Sequence, residues 1–267
     1  MGLSQVRLMK IASFNINGVK ARLPALCDWL DSAQPDIALL QEIKSVDDAF
    51  PREPFEERGY RIAVHGQKGF NGVAILSKLP MEDVVCGLPG DAQDTQARWI
   101  EATVFGATAV RVCGLYLPNG NPAPGPKYDY KLAWMERLRR HAATLLATEE
   151  PVVMAGDYNV IPQDEDAANP QKWHEDALAL PESRAAFRRV LHMGFTDALR
   201  VRHAGPGFYT YWDYQRGAFE RGDGIRIDHM LLSPQAADLL SDCRIDTEAR
   251  AGEKPSDHTP IWIELDA

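Results

Sequence analysis

The sequence predicts an α/β sandwich with helices covering its outside. Three observations point there. Nine short runs are rich in β-branched and aromatic residues and are bounded by Gly, Pro, Asn or Asp. Only three stretches carry apolar residues at helical spacing. Only some of the strand-like runs are followed by a helix of crossover length, which argues against a regular βαβ array. The 267 residues, 45% hydrophobic and 25% charged, show no repeat, low-complexity tract or Gly/Ser linker, so one domain over 1–267 is expected.

The elements follow in order. Residues 8–16 form the first strand, and Leu23, Leu26, Cys27 and Leu30 then make one apolar helical stripe. Strands are expected at 36–40, 60–64, 72–77, 99–105 and 110–117. The Pro/Gly-rich segment 118–126 follows the last of these directly and is too short for a domain linker, so it reads as a loop at a site rim. A second helix covers about 128–146, with Tyr130, Trp134, Leu138, Ala142 and Leu145 on one face, and a strand follows at 152–156. The polar, irregular stretch 162–181 contains Trp173 and His174 and is a candidate substrate-contacting loop. A third helix covers about 182–193 through Ala186, Phe187, Val190 and Leu191, and strands at 225–232 and 261–265 complete the chain.

The four cysteines, Cys27, Cys86, Cys113 and Cys243, stand singly with no CxxC pair. That suggests neither a zinc cluster nor a disulfide framework and fits a reducing cytoplasm. No apolar run approaches the roughly 20 residues of a membrane helix, and residues 1–10 lack the plan of a signal peptide. Gly2 opens a myristoylation-like motif, but Val6 stands where Ser or Thr is required. A soluble, unanchored protein is expected. The net charge of -9 speaks weakly against a generally basic nucleic-acid binder, yet decides little where acids hold a metal and bases line one face. Lys68, Arg98, Lys127, Lys131 and the stretch 216–226 are local basic candidates, each read alone as a solvated surface charge.

The chemistry-bearing residues sit at the C-terminal ends of strand-like runs. Asn15 and Asn17 close the first, Glu42 follows the apolar run 37–40, Tyr116 ends another, and Asp157 and Asn159 follow 152–156. Asp228 and the Asp257-His258 pair, bracketed by Lys254-Pro255 and Thr259-Pro260, flank the final strands. In a layered α/β fold such ends converge on one cleft. Singly, Asn and Asp read as turn caps, Glu42 as a surface acid and Tyr116 as core. Together, acids and amides without cysteine ligands suit a hard cation such as magnesium or manganese, and hence metal-assisted phosphoryl chemistry. A Ser-His-Asp hydrolase is the weaker reading, since no GxSxG elbow is present and Ser256 lies in the same turn as His258.

Eight motifs in order then carry a resemblance: Ser13-Phe14-Asn15-Ile16-Asn17-Gly18, Leu40-Gln41-Glu42-Ile43-Lys44, His65-Gly66-Gln67-Lys68-Gly69, Asn71-Gly72-Val73-Ala74-Ile75, Gly156-Asp157-Tyr158-Asn159, Trp212-Asp213-Tyr214, Arg226-Ile227-Asp228 and Lys254-Pro255-Ser256-Asp257-His258. Each is weak alone, but in register over nearly the whole chain they resemble the exonuclease III family of DNA-repair nucleases. The resemblance implies a four-layer αββα sandwich, two mixed β-sheets flanked by helices, with one Mg2+ or Mn2+ in a cleft at its top. It implies Glu42 as main metal ligand, with Asp257 and Asn17 as further or water-mediated ligands. Asp157 matches the general base, Asn15 and Asn159 would orient water and phosphate, and Tyr116 would contact the scissile phosphate. His258, oriented by Asp228, would stabilise the developing charge or share proton handling with Asp157.

The implied partner is double-stranded DNA with abasic sites or 3′ ends, bound by a monomer in the bacterial cytoplasm. Backbone-phosphate contacts suit an enzyme acting at any sequence, and Lys68, Asn71, Arg98 and Asn119 are the candidates. The aromatic segment 208–212, with Tyr211 and Trp212, would enter the minor groove or stack on an extruded sugar, although Trp212 itself reads first as core packing. Tyr211, Ile225 and Ile227 would wall an abasic pocket whose shape departs from relatives carrying bulkier aromatics there. The segment 169–176 resembles that of members specialised for 3′-end processing, and a side chain from it inside the pocket would block a flipped nucleotide. Asn17 stands where some relatives have an acid. A phosphatase or phosphodiesterase of the same superfamily acting on a non-DNA substrate, and an idle DNA-binding domain, are the alternatives.

Overall fold

A computed structural model of the chain describes residues 8–267; the Gly2 and Val6 reading lies outside them. Twelve strands are present among the described residues: β1 (Leu8–Asn15), β2 (Ile37–Gln41), β3 (Arg61–His65), β4 (Val73–Ser77), β5 (Met81–Cys86), β6 (Trp99–Phe105), β7 (Ala109–Tyr116), β8 (Val152–Asp157), β9 (Thr196–Asp197), β10 (Asp228–Leu232), β11 (Leu240–Ile245) and β12 (Ile261–Asp266). The helices are α1 (Leu23–Ala33), α2 (Glu53–Glu56), α3 (Pro126–Leu146), α4 (Pro181–Leu191), α5 (Ala198–Arg202) and α6 (Pro234–Asp238).

The strands form two six-stranded sheets, in the orders β11-β12-β1-β2-β4-β3 and β5-β6-β7-β8-β10-β9. Both repeat one pairing pattern. A single parallel pair, β1 with β2 or β7 with β8, lies at the centre and antiparallel strands flank it on each side. Central strands must be apolar on both faces, and accordingly β2, β4 and β8 are buried along their whole length. The parallel pairs lie over one another across the sandwich. Ile11, Leu39, Ile75, Ile100, Val112 and Ala155 belong to the core between the sheets. Gly114 on β7 belongs to the same gap: a methyl placed there would sit 3.5 Å from Leu39 Cβ.

The outer layers follow from amphipathic helices. Leu26, Cys27, Trp29 and Leu30 of α1 pack with Phe14 and Leu40 of the first sheet. Trp134, Leu138, Ala142 and Leu145 of α3 join Phe187 and Val190 of α4 over the second. Prolines in the first turn start α1, α3 and α4, and α1 stops where Gln34 turns left-handed and returns its N–H to Leu30. The result is the expected four-layer αββα sandwich. No helix among the described residues is long and apolar enough to cross a membrane.

Three sequence expectations are corrected. The strand expected at 225–232 begins only at Asp228; Ile225 makes isolated bridges with Ala167 and Tyr211 instead. Strands β5, β9 and β11 were not expected. Tyr130 packs against the core with the rest of its helix face, as expected, and is half-buried, its hydroxyl donating to the Asp94 carboxylate. Lys131 and Arg226, read as surface charges, are 0% and 1% exposed.

Candidate active site

Each sheet contributes the C-terminal end of its parallel pair. Asn15 ends β1 beside Gln41 of β2, and Tyr116 ends β7 beside Asp157 of β8. Immediately after β2 the chain turns left-handed at Glu42, φ 49°. A residue with a Cβ pays about 1–2 kcal/mol there, and such outliers concentrate at functional sites. Two backbone hydrogen bonds hold the turn: the Gly18 N–H donates to the Glu42 carbonyl at 2.7 Å, and the Ile43 N–H to the Gly72 carbonyl at 3.2 Å. Asn159, two residues beyond Asp157, is left-handed as well, φ 48°, a region asparagine tolerates.

Asn15 joins the two ends. Its Oδ1 accepts the Asn17 N–H at 3.1 Å, which fixes the amide orientation. Its Nδ2 therefore donates to Glu42 Oε1 at 2.9 Å and to Asp157 Oδ2 at 3.0 Å, one acid from each sheet. Asp228 faces Asp157 across the β8/β10 ladder and accepts from His258 Nδ1 at 2.8 Å, while His258 Nε2 lies 3.7 Å from Asp157 Oδ2. The turn bearing His258 is tied down by the Ser256 hydroxyl, which donates to the Asn15 carbonyl at 2.7 Å. That commitment removes Ser256 as a nucleophile and with it the serine-hydrolase reading.

Burial and neighbouring charge set the protonation states. Burial pushes the Asp157 carboxyl up, Asp228 adds to that, and His258 with the Asn159 N–H opposes it; the pKa is raised. Burial works to lower His258, but Asp228 and Asp157 prevail and hold the imidazolium. Burial also works to raise Glu42, yet the hydrogen bond from Asn15 and the Lys44 ammonium, 2.9 Å from Oε2, keep it below the ordinary carboxylate value. Burial and the Glu42 and Asp157 carboxylates push the Tyr116 hydroxyl far up, so it stays protonated as a donor, with the Arg98 guanidinium 4.8 Å above its ring.

Glu42, Asp157 and His258 offer ligand atoms all within 4.8 Å of one another, so a cation fits between them. A charged imidazole has no lone pair to give, which leaves carboxylate oxygens as donors and favours a hard ion. Asp257 and Asn17 lie one step further out. Asn17 Nδ2 donates to Asp257 Oδ1 at 3.0 Å, and its Oδ1 accepts from Lys44 Nζ. Both ends of the Asn17 amide are thus occupied, so direct ligation by it would displace Lys44.

The DNA-contact candidates divide by burial. Lys68 is exposed at the tip of the β3–β4 loop, and Arg98 is half-buried, bound to Gln96 and the Tyr116 carbonyl. Asn71 is buried, its Nδ2 donating to the side-chain oxygens of Gln67 at 2.9 Å and Gln96 at 3.4 Å. Trp212 is 4% exposed and meets Phe219 edge to face, in keeping with the core-packing reading of it. Ile225 and Ile227 are not open walls: they are buried with Ile161 and Leu178 under Trp173 and Tyr211. The segment 168–173 is docked there by the Ala168 N–H on the Gly224 carbonyl and by Asn169 and Lys172 on Asp223. Trp173 packs inward and His174 faces outward. Asn119 Nδ2 donates to Asn159 Oδ1 at 3.0 Å, and Asn159 Nδ2 to the Leu117 carbonyl at 2.9 Å. Sequence reading passed over Lys44, although a cation two residues after the main acid is a visible signal. It also passed over Thr210, whose hydroxyl accepts the Ile227 and Asp228 N–H groups behind the site and has no local sequence signature.

Comparison with known proteins adds a lineage. A profile of the endonuclease/exonuclease/phosphatase family matches residues 12–258. Exodeoxyribonuclease III of Haemophilus influenzae is 37% identical over 96% of this chain and 100% of its own. An AP endonuclease structure from Archaeoglobus fulgidus superposes with TM-score 0.92 at 38% identity, covering 97% of this chain and all of that one. The structure of a 3′-5′ exonuclease from Neisseria meningitidis does so with TM-score 0.92 at 41% identity and the same coverage.

Proposed function

This chain belongs to the endonuclease/exonuclease/phosphatase family, and we propose that within it the protein is a magnesium- or manganese-dependent DNA-repair nuclease of the exodeoxyribonuclease III type. It hydrolyses phosphodiester bonds of double-stranded DNA from 3′ ends and processes blocked 3′ ends, with incision at abasic sites as its lesser activity. The observation that carries the reading is the Asn15 amide bridging Glu42 and Asp157 beside an imidazolium held by Asp228.

The residues then divide the work. Asp157, its pKa raised toward neutrality, accepts a proton from water as the water oxygen bonds to phosphorus and the bond to the leaving O3′ breaks. The His258 imidazolium and the Tyr116 hydroxyl stabilise charge on the phosphoryl oxygens in a water-poor site. Asn15 fixes the acids, and Asn119 and Asn159 each retain an amide N–H for the phosphate. A cation bound at Glu42 supplies Lewis-acid stabilisation of the leaving oxygen. Lys68 and Arg98 provide phosphate contacts that ignore sequence.

The covered Ile225 and Ile227 favour 3′-end work over abasic incision, because a flipped sugar needs the volume that Trp173 occupies. The fold carries its cations locally despite the net charge of -9, and a monomeric, cytoplasmic enzyme is part of the same proposal. Incubation with magnesium and end-labelled duplexes, one with a recessed 3′ end and one with an internal abasic analogue, tests the reading. Resection well ahead of incision is expected. Failure to cleave either duplex, with hydrolysis of a small phosphate ester instead, would transfer the protein to a non-DNA substrate.

A further inference from the structure

Lys131 lies on α3 in the stripe of that helix that faces the second sheet, among Tyr128, Trp134 and Met135. A fully buried ammonium is costly unless every N–H is used. Here all three are: Nζ donates to the carbonyls of Asn119 at 3.0 Å, Asn159 at 2.6 Å and Ala177 at 3.1 Å. These carbonyls belong to three chain segments separated in sequence, the loop after β7, the turn after β8 and the loop before α4. The backbone closes around the side chain. Gly120, at φ 92°, has room for no Cβ, which would come within 2.7 Å of Lys131 Cδ.

Two of the gathered residues are the amides placed next to the acids. Asn159 also donates its N–H to Asp157 Oδ1 at 2.8 Å, and its Oδ1 receives Asn119 Nδ2. The third carbonyl links them to the loop that carries Trp173. Asn121 strengthens that link, donating to Asp176 Oδ1 at 2.9 Å and accepting the Ala177 N–H at 3.1 Å. Burial pulls the ammonium's pKa down to about 7, against the smaller opposing pull of Asp157 and Asp176.

We propose that Lys131 is a positioning residue for phosphodiester cleavage: by gathering three loop carbonyls on one ammonium it holds the Asn119 and Asn159 amides in register with Asp157. The inference rests on the nuclease reading above. Lys131 does not touch substrate; it acts through Asn159, so its removal lowers turnover more than binding.

The test is a double-mutant cycle on full-length protein, using Lys131→Met, Asn159→Ala and their combination, with magnesium and a duplex bearing a recessed 3′ end. Lys131→Met should lower kcat by roughly 10- to 100-fold with KM changed less than about threefold. The same substitution should cost less than about twofold in the Asn159→Ala background, because its route of action is already gone. Combined with Lys68→Ala, a remote phosphate contact, its effect should remain whole. A purely structural role predicts equal losses in both backgrounds, and that result overturns the inference, as does a folded Lys131→Met enzyme with unchanged kcat. Should Lys131→Met fail to fold, Lys131→Gln, which keeps an N–H donor, carries the same cycle. Wild-type protein inert on DNA overturns the nuclease reading itself, a result distinct from an active wild type with an indifferent Lys131 variant.

Discussion

The strand ends and the loops at the same rim of this molecule are held by different means. Asn15, Tyr116, Asp157 and Asp228 sit on ladder positions of two sheets, and each is anchored by a register that cannot slip without turning a buried face outward. The segments 118–126, 162–180 and 208–225 have only isolated bridges, those of Ile225 with Ala167 and Tyr211 and of Tyr211 with His258, and rely besides on side chains: Lys131 on three carbonyls, Asn169 and Lys172 on Asp223, Thr210 on two N–H groups. On the proposed function, chemistry would be carried by the rigid part, and the choice of substrate by parts that single substitutions can move.

The contrast predicts large effects at strand ends. Asp157→Asn keeps the side chain's shape and removes the base, its one amide oxygen retaining either the bond from Asn15 Nδ2 or that from the Asn159 N–H, so kcat should fall by on the order of 10²–10⁴-fold with the fold retained; near-normal turnover by the folded variant would remove Asp157 from that role. Glu42→Gln should come next, and its signature is a rise in the magnesium concentration needed for half-maximal rate, readable also as weaker Mn2+ binding by calorimetry. Unaltered metal binding would move the cation away from Glu42.

A pH profile tests the pairing of His258. Asp228 raises the imidazole above its ordinary value of 6.5, so wild-type activity that needs the imidazolium persists above that pH and falls as pH climbs through the raised value. Asp228→Asn takes away the main raising charge and should move the alkaline limb of kcat/KM to lower pH. The stability contributed by this pair has the same sign: present in full below 6.5 and lost on the way up. An unmoved limb would show that the imidazolium is not required.

Loop substitutions should change ratios instead. Trp173→Gly uncovers Ile225 and Ile227, and incision at an abasic analogue should rise relative to 3′ resection by roughly 10-fold or more, with resection itself nearly constant. Smallest of all, Lys68→Ala should weaken DNA binding evenly across sequences and flatten the dependence of log affinity on log salt by about 1.

The two regions also differed in how far they could be read from sequence. Glu42 and Asp157 each follow a run buried on both faces, and such runs announce their own ends, which is why the cleft was legible. Partnership was less so: Asp257 and His258 are neighbours in the chain, yet His258 bonds Asp228 and Asp257 bonds Asn17. Edge strand β5 is exposed over nearly its whole length and lacks the apolar pattern that marks a strand. Lys131 looked like any surface lysine because its burial comes from carbonyls contributed by segments 12 to 46 residues away. Trp173 stood out as an aromatic in a polar loop, but only the docking of that loop on Asp223 and Gly224 shows what it covers.

The Asn15 carboxamide spans from Glu42 of one sheet to Asp157 of the other, so it behaves as a caliper whose jaws are the two acids. On the proposed function, turnover would then report the thickness of the hydrophobic filling between the sheets, far from any substrate. A methyl added at Gly114 would meet Leu39 and Ile100 at 3.5 Å, ordinary van der Waals contact, so larger side chains there are the ones that would press on this filling. Drift in this part of the core should be felt as detuned chemistry before it is felt as lost fold.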